Sequence, residues 1–94
     1  MNWNATRLAS DDNVATALQD IAAGDAIVVI TPDASIELVA LEPIRLCHKI
    51  ALSDIATGAA VVKYGQCIGV ATAPIRRGAW VHVHNLRSRR AQPA

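Results

Sequence analysis

The chain has 94 residues and a mass of 10.0 kDa, which provides one domain with a small core and excludes a second. Apolar residues make up 52% and charged residues 18% of it, a balance that excludes an intrinsically disordered chain. Aromatic residues are only 3%, so we expect no stacking platform for nucleic acid. No apolar stretch reaches the roughly 18 residues of a membrane span, and the first residues do not resemble an export signal. We therefore expect a cytoplasmic protein without a membrane partner.

The net charge of +1 hides an uneven distribution of charges along the chain. The first 54 residues contain all eight acidic residues and three basic ones, a net charge of −5. The remaining residues contain six basic residues and no acidic one, a net charge of +6. The asymmetry predicts an anionic ligand or an acidic partner near the C-terminal half, unless the two halves neutralise each other in the fold. The basic run over residues 87–90 is interpreted as a solvated tail.

An internal repeat predicts three similar corners in one small fold. The shared pattern is Ile-x-x-Gly followed three residues later by Ile or Val, and it starts at Ile21, Ile55 and Ile75. The Ile would anchor each corner in the core, and the Gly would adopt a backbone conformation that other residues resist. Since the spacings are unequal, the repeat does not indicate a stacked solenoid.

Short strands are predicted between these corners in the first half of the chain. Residues 14–21 have helical spacing, but their place before a corner favours a strand. The apolar run at 26–30 and the alternation over 36–41 predict the next two strands. Alternation over 44–52 predicts a longer strand that buries one face, which includes His48.

The second half predicts a hairpin and a last strand. Strands at 61–64 and 67–71 flank Gly65 and Gln66, which suits a type II′ turn. Alternation over 80–85 predicts one further strand. We expect a single domain over residues 1–94, with a core of about 8–86 and flexible tails at 1–7 and 87–94.

Three histidines are the first candidates for chemistry. On a strand, His82 and His84 would point to the same face and could share one metal ion, with His48 as a third ligand. The alternative for His82 and His84 is a polar pair on an edge strand near Trp80. The alternatives for His48 are a hydrogen-bonded core histidine and a general base at a cleft.

Polar residues next to these histidines are candidates for binding a substrate. Lys49 would point away from His48, so the two residues should line one pocket only if the strand bends or ends there. Lys63 could pair with a carboxylate and Tyr64 could bind a hydroxyl group, whereas Asn85 could add donors. Because no familiar catalytic motif is present, we do not expect a complete catalytic site in this chain alone.

Two stretches resemble the N-terminal domain of the altronate and galactarate dehydratase family. The first runs from His48 through Gly58 to Lys63-Tyr64-Gly65-Gln66, and the second is Gly78-Ala79-Trp80-Val81-His82-Val83-His84-Asn85-Leu86. The resemblance extends from about residue 8 to residue 86. It implies an all-β SAF-type domain with a β-clip fold, in which short turns or 3-10 segments form the Ile-x-x-Gly corners. The family usually has Gly before His-Lys, where this chain has Cys47.

The resemblance also implies a function. Family members are lyases that remove water from sugar acids, typically with a divalent metal such as Fe²⁺ or Mn²⁺, and most of their catalytic machinery lies in a larger C-terminal part. A stand-alone relative is the small subunit of (2R)-sulfolactate sulfo-lyase, which acts on a sulfonated hydroxy acid.

We therefore expect a small subunit of a hydro-lyase that needs a larger catalytic subunit. The alternatives are a sulfo-lyase subunit and a non-catalytic SAF module that binds an anionic carbohydrate or a protein. The expected catalytic residues are His48, His82 and His84, and the two last are also the expected metal ligands. The expected substrate-binding residues are Lys49, Lys63, Tyr64 and Asn85.

Overall fold

A computed structural model describes residues 3–88, which form nine short β-strands and contain no helix. The strands are β1 (Ala5–Thr6), β2 (Val14–Ala17), β3 (Ala26–Ile30), β4 (Ser35–Val39), β5 (Lys49–Ala51), β6 (Ala60–Lys63), β7 (Gln66–Ala71), β8 (Trp80–Val81) and β9 (Leu86–Ser88). The all-β class expected for a SAF domain is confirmed. Within this range there is accordingly no helix that could span a membrane.

The strands form two sheets. The larger has the order β4-β3-β1-β2-β5-β8, and the smaller has the order β6-β7-β9. Neighbours are antiparallel except β1 and β3, which run parallel. The strands predicted at residues 26–30 and 36–41 are confirmed as β3 and β4, although β4 ends at Val39. The strand predicted over residues 14–21 is confirmed only for its first half, which is β2, because the chain bends before the corner at Ile21.

The chain turns at four corners of the same construction, one more than the repeat predicts. In each, a bridging Ile is followed by a two-residue turn and then by a strand. The corner missing from the sequence analysis begins at Ile44 and has Cys47 in the place of the glycine. Cys47 adopts a φ of 73°, close to the values of 83° to 90° at the three corner glycines. The four corners are residues 21–27, 44–50, 55–61 and 75–81.

The corners associate in two pairs through reciprocal backbone hydrogen bonds. Ile21 and Ile44 each donate to the carbonyl of the other, and Ile55 and Ile75 do the same, at 2.7 to 2.9 Å. The fourth residue of each corner donates to an alanine carbonyl that lies just before the partner corner. These four bonds are all 2.8 Å long and join Gly24 to Ala40, Cys47 to Ala17, Gly58 to Ala71, and Gly78 to Ala51.

Two aspartates complete this arrangement. The carboxylate of Asp20 accepts a bond of 2.9 Å from the N–H of Leu46, and that of Asp54 accepts one of 2.8 Å from the N–H of Arg77. Both aspartates directly precede a corner isoleucine, and both bind the third residue of the partner corner. The two pairs of corners share this geometry, which explains why Asp-Ile recurs in the sequence.

Each pair of corners has its own hydrophobic core. The first core contains the corner residues Ile21, Ile27, Ile44 and Ile50, all at most 3% exposed. The second contains Ile55, Val61, Ile75 and Val81, all at most 4% exposed. Full burial of such a side chain stabilises a fold by about 1.5 to 3 kcal/mol, so each corner is an anchor as well as a turn.

The strand predicted over residues 44–52 is wrong in its first part. Ile44 begins a corner and Ile50 lies in the strand that follows it, and both side chains are buried, whereas Leu46 between them is 52% exposed. The apparent alternation therefore joins two separate elements. Only residues 49–51 form β5, and Ala51 on the supposed exposed face is fully buried between the sheets. The positive φ of Cys47 ends any continuous strand at this point.

The hairpin between β6 and β7 is present, but its turn is type I′ and contains Tyr64 and Gly65. Lys63 pairs with Gln66, and both turn residues have a positive φ, 55° and 72°. The buried carboxylate of Asp12 holds this turn, since it accepts bonds of 2.9 and 2.7 Å from the two turn N–H groups. A distant aspartate thus lets Tyr64 take a conformation that normally favours glycine.

The single strand predicted over residues 80–85 is also wrong. It ends after Trp80 and Val81, and the chain turns over residues 82–85 before β9. Asn85 stabilises this turn, because its side chain accepts from the N–H of His82 at 2.9 Å and donates to the carbonyl of Trp80 at 2.9 Å.

The described part of the expected N-terminal tail, residues 3–7, contains strand β1. Ala5 is fully buried, and β1 lies between β2 and β3 in the larger sheet. At the other end, residues 87 and 88 belong to β9. The rest of the predicted tails, residues 1–2 and 89–94, lies outside the described residues.

We predict that Cys47→Gly stabilises the protein. A non-glycine residue in this region costs about 1 kcal/mol or more, whereas Cys47 is exposed and loses little contact on truncation. Once the additional conformational entropy that glycine loses on folding is subtracted, we expect the free energy of unfolding to rise by about 0.5 to 1 kcal/mol. The midpoint of thermal unfolding should rise with it. The matched control is Cys47→Ala, which retains the unfavourable φ and should bring no gain. Equal effects of the two variants would contradict the explanation.

Candidate functional site

The candidate site forms where the second and fourth corners lead into neighbouring strands. β5 and β8 are antiparallel, and their register pairs Lys49 with Val81 and Ile50 with Trp80. One step further along this register, His48 and His82 lie opposite each other just beyond the paired residues. The pairing of the two strands therefore brings together two histidines that are 34 positions apart in the sequence.

Trp80 is the centre of an aromatic cluster that contains all three histidines. Its ring stacks on His82 at a centroid distance of 5.0 Å and an interplanar angle of 14°. His84 lies 4.7 Å from the Trp80 ring, and the rings of His48 and His82 are 4.8 Å apart. His82 and His84 thus meet at Trp80 because a turn places them there, and not because they share a strand face.

A hydrogen bond from Trp80 determines which nitrogen of His48 carries the proton. The indole Nε1–H of Trp80 donates to Nδ1 of His48 at 2.9 Å. A ring nitrogen that accepts a hydrogen bond is unprotonated, so a neutral His48 carries its proton on Nε2. In this arrangement His48 is a hydrogen-bond donor towards a ligand through Nε2, and it is neither a general base nor a metal ligand through that atom.

An open cleft of about 520 Å³ lies beside this pair, and we call it the Trp80 cleft. Its acidic member, Glu42, accepts a hydrogen bond of 3.0 Å from the backbone N–H of Trp80 and so fixes the start of β8. The lining residues are Glu42, Pro43, Arg45, His48, Trp80 and His82.

A second open cleft of about 650 Å³ lies on another side of His82, and we call it the Arg87 cleft. Lys49 lines this cleft and His48 lines the first, so the two residues face different spaces, as their alternation in the sequence predicts. His82 lines both clefts and connects them. The lining residues are Lys49, Ile68, Thr72, His82, Val83, Leu86, Arg87 and Ser88.

Burial, together with neighbouring positive charges, lowers the pKa of two groups at the site. Burial lowers the pKa of Lys49, and the positive charge of Lys63 lowers it further. Partial burial also lowers the pKa of His82 below its ordinary value of 6.5, and the charges of His48, Lys49 and His84 add to this effect. His82 is therefore neutral at neutral pH and has a nitrogen available to accept a proton.

The other expected site residues lie outside the clefts. Lys63 and Tyr64 are at the β6–β7 hairpin, where the Lys63 ammonium lies 4.9 Å from the centre of the Tyr64 ring. Lys63 acts on the site through its positive charge, which lowers the pKa of Lys49. His84 touches Trp80 but lines neither cleft, and Asn85 is buried within the turn that it stabilises.

The expected metal site is incomplete among the residues that the structure describes. Residues 3–88 contain no group of three His, Cys, Asp or Glu side chains that could hold one metal ion. The bond from Trp80 occupies Nδ1 of His48, which removes the proposed third ligand. His82 and His84 are left as two ligands at most, and a metal here would need further ligands from another polypeptide.

Arg45, Trp80 and Arg87 line the clefts but are not among the site residues that the sequence predicts. The indole N–H of Trp80 needs a partner when the ring is partly buried, which is a signal for a contact with a neighbouring side chain. Arg45 lies in the corner that has no glycine, and Arg87 begins a basic run, so neither residue stands out in the sequence. The repeat with Cys in place of Gly was the signal that could have located Arg45.

We predict that His82 titrates below pH 6.5 in the metal-free protein and that Lys49→Gln raises its pKa. Because the folded pKa lies below the unfolded value, the contribution of His82 to stability is full above pH 6.5 and is lost as the pH falls through the folded pKa. Histidine ring signals in a two-dimensional NMR titration measure both pKa values. The control is Arg76→Gln, an exposed charge that should leave His82 unchanged, and an unchanged pKa in Lys49→Gln would disprove the coupling.

Comparison with known proteins places this geometry in a family. The sequence model described as "Altronate/galactarate dehydratase SAF domain" matches residues 3–89. The chain is 44% identical over 77 residues to "Altronate dehydratase" of Escherichia coli, an alignment that covers 82% of this chain and 15% of that protein.

Two shorter relatives match over most of their own length. The "(2R)-sulfolactate sulfo-lyase subunit alpha" of Chromohalobacter salexigens is 36% identical over 62 residues, which is 66% of each protein. The protein of the same description from Paracoccus pantotrophus is 33% identical over 63 residues, which is 67% of this chain and 94% of that one. The corner repeat, the all-β fold and these matches agree, and the chain belongs to the SAF-domain family of the altronate and galactarate dehydratases.

Proposed function

We propose that this chain is the small SAF-domain component of a hydro-lyase that dehydrates a sugar acid, as altronate or galactarate dehydratases do, in the cytoplasm and together with a larger catalytic subunit. The observation that carries the proposal is the convergence of His48, His82 and Lys49 on two open clefts, while residues 3–88 contain no group of three side chains that could hold one metal ion. The long relative adds support, because this chain spans 15% of its length and the remainder is available for the missing groups.

The residues of the two clefts suit the chemistry of such an elimination. The reaction removes the proton next to a carboxylate and expels a hydroxide from the adjacent carbon, so negative charge develops on the carboxylate oxygens. The neutral ring of His82 accepts the proton, since its pKa is lowered. The Nε2–H of His48 and the ammonium of Lys49 stabilise the developing charge.

The remaining roles divide between this chain and the larger subunit. The proton that converts the departing hydroxide into water comes from a group of the larger subunit. A divalent ion such as Fe²⁺ or Mn²⁺, if the enzyme uses one, is held mainly by that subunit, and no step of this mechanism passes through it. Lys63 raises the positive potential near Lys49, Asn85 positions His82 through the turn, and Tyr64 and His84 stay candidates for contact with the substrate or the partner.

A second candidate function is that of the small subunit of a (2R)-sulfolactate sulfo-lyase. The specific observation in its favour is coverage, because the alignments span 66% and 94% of the two sulfo-lyase alpha subunits. The chemistry is closely related, since a proton next to a carboxylate is removed and sulfite leaves in place of hydroxide. The same roles of His48, His82 and Lys49 apply.

We predict that lyase activity requires a larger subunit. The tagged chain is used to capture partners from its native cells, and a captured polypeptide of the same enzyme family is purified and recombined with it. Formation of a 2-keto-3-deoxy acid from altronate or galactarate supports the hydro-lyase, and release of sulfite from (2R)-sulfolactate supports the second candidate. Binding of a sugar acid or a protein without either reaction would instead identify a non-catalytic module. Full activity of the chain alone would contradict the proposal.

We also predict that Trp80→Phe redistributes the proton of His48. The substitution keeps an aromatic ring but removes the N–H donor, so the Nε2–H form is no longer selected. The ¹⁵N shifts of the imidazole should show one tautomer in the native chain and a mixture in the variant, and the activity of the recombined enzyme should fall roughly tenfold, as expected for one lost hydrogen bond. The control is Trp3→Phe, which changes an exposed tryptophan elsewhere. A dominant Nδ1–H form in the native chain would disprove the assignment.

A further inference from the structure

We propose that the Arg87 cleft is an oxyanion subsite in which Lys49 and Arg87 bind the carboxylate or sulfonate group of the substrate. The inference rests on the proposed function and extends it, because it names the group that is bound and adds Arg87 as a binding residue. Sequence reasoning assigned Arg87 to a solvated tail, whereas the structure places it in β9 at the wall of a cleft.

The first argument is the charge of the residues that line the Arg87 cleft. The Arg87 cleft is lined by Lys49, His82 and Arg87, and among its described lining residues none is Asp or Glu. The Trp80 cleft differs, because it contains Glu42 next to Arg45 and the histidines. Of the two clefts, the Arg87 cleft therefore offers the stronger attraction to an anion.

The second argument is the environment of the Lys49 ammonium. Burial and the nearby charge of Lys63 both disfavour its protonated form. A bound anion would offset both effects, since it supplies the opposite charge that the cleft lacks. Apolar side chains of Ile68 and Leu86 also line the cleft, and they strengthen an ion pair by excluding part of the water.

The third argument is that the fold holds the Arg87 backbone closely in place. β9 pairs with β7, where Arg87 lies opposite Val70. A side chain at Gly69 would overlap the carbonyl oxygen of Arg87 and approach Leu86, so the two strands approach this closely only because residue 69 is glycine. Arg87 therefore begins from a backbone position set by packing, which lowers the entropy lost when its guanidinium binds a ligand.

The geometry also connects the subsite to the proposed chemistry. His82 lines the Arg87 cleft and the Trp80 cleft, so an oxyanion held by Lys49 and Arg87 lies next to the ring that accepts the proton. The carbon attached to a carboxylate is the carbon that loses a proton in this elimination. Binding that carboxylate in the Arg87 cleft would orient this carbon towards His82. Thr72 lines the same cleft.

The test uses the ¹⁵N-labelled full chain and four probes: altronate, (2R)-sulfolactate, inorganic sulfate and the uncharged polyol galactitol. We expect both organic acids to shift the NMR signals of Arg87 and Lys49, and galactitol to shift neither. Arg87→Gln and Lys49→Gln should each weaken binding of the acids roughly tenfold, as expected for a lost charge-assisted hydrogen bond. Arg76→Gln, which removes an exposed arginine outside both clefts, should leave the affinity unchanged.

Three results would overturn the subsite. They are an affinity for the acids that Arg87→Gln does not change, shifts confined to the Trp80 cleft, and sulfate binding as tight as that of the acids, which would indicate an adventitious ion only. Recombination with the larger subunit separates this inference from the proposed function. Binding that depends on Arg87, without lyase activity, would support the subsite and contradict the proposed function. Lyase activity with an unchanged KM in Arg87→Gln would support the proposed function and contradict the subsite.

Discussion

The reciprocal hydrogen bonding of paired corners is the constraint on which the rest of this structure depends. Each corner forms backbone hydrogen bonds with its partner, so the backbone polar groups of one corner are satisfied only when the other is present. The same residues bury an isoleucine or valine on each side of the turn, which links polar satisfaction to hydrophobic packing in a chain with few aromatic residues. Asp20 and Asp54 reinforce the two pairs at equivalent positions.

The candidate site results from the similarity of the corners in backbone structure and from their difference in side chains. The second and fourth corners lead into β5 and β8, whose pairing brings His48 next to His82. At equivalent positions of the two corners the chain has His48 and Ala79, then Lys49 and Trp80. The pseudo-equivalent strands therefore carry different side chains on the same scaffold, and the polar and aromatic groups meet on one side of the strand pair.

The chemistry of the site lies in the different environments of its three imidazoles. Trp80 fixes His48 as a donor, while burial and neighbouring charges keep His82 neutral. His84 packs on the same indole ring without entering a cleft. His82 lies between a cleft that contains both acidic and basic residues and a cleft whose described charged residues are all basic. Both clefts are open, which leaves room for a larger subunit to complete them.

The sequence alone determined the all-β class, three of the corners and the choice of the three histidines as candidate site residues. These follow from local properties of the chain, which are glycine at a positive φ, alternation of apolar residues, and residue types able to carry protons. It misplaced the strands at residues 44–52 and 80–85, since a corner with Cys47 and a turn closed by Asn85 both imitate alternation. Only the tertiary structure decided that Trp80 binds His48, that Arg87 reaches a cleft, and that His82 lies between two spaces. Those contacts depend on the register of β5 with β8 and of β7 with β9, which joins residues far apart in the chain and leaves no local pattern.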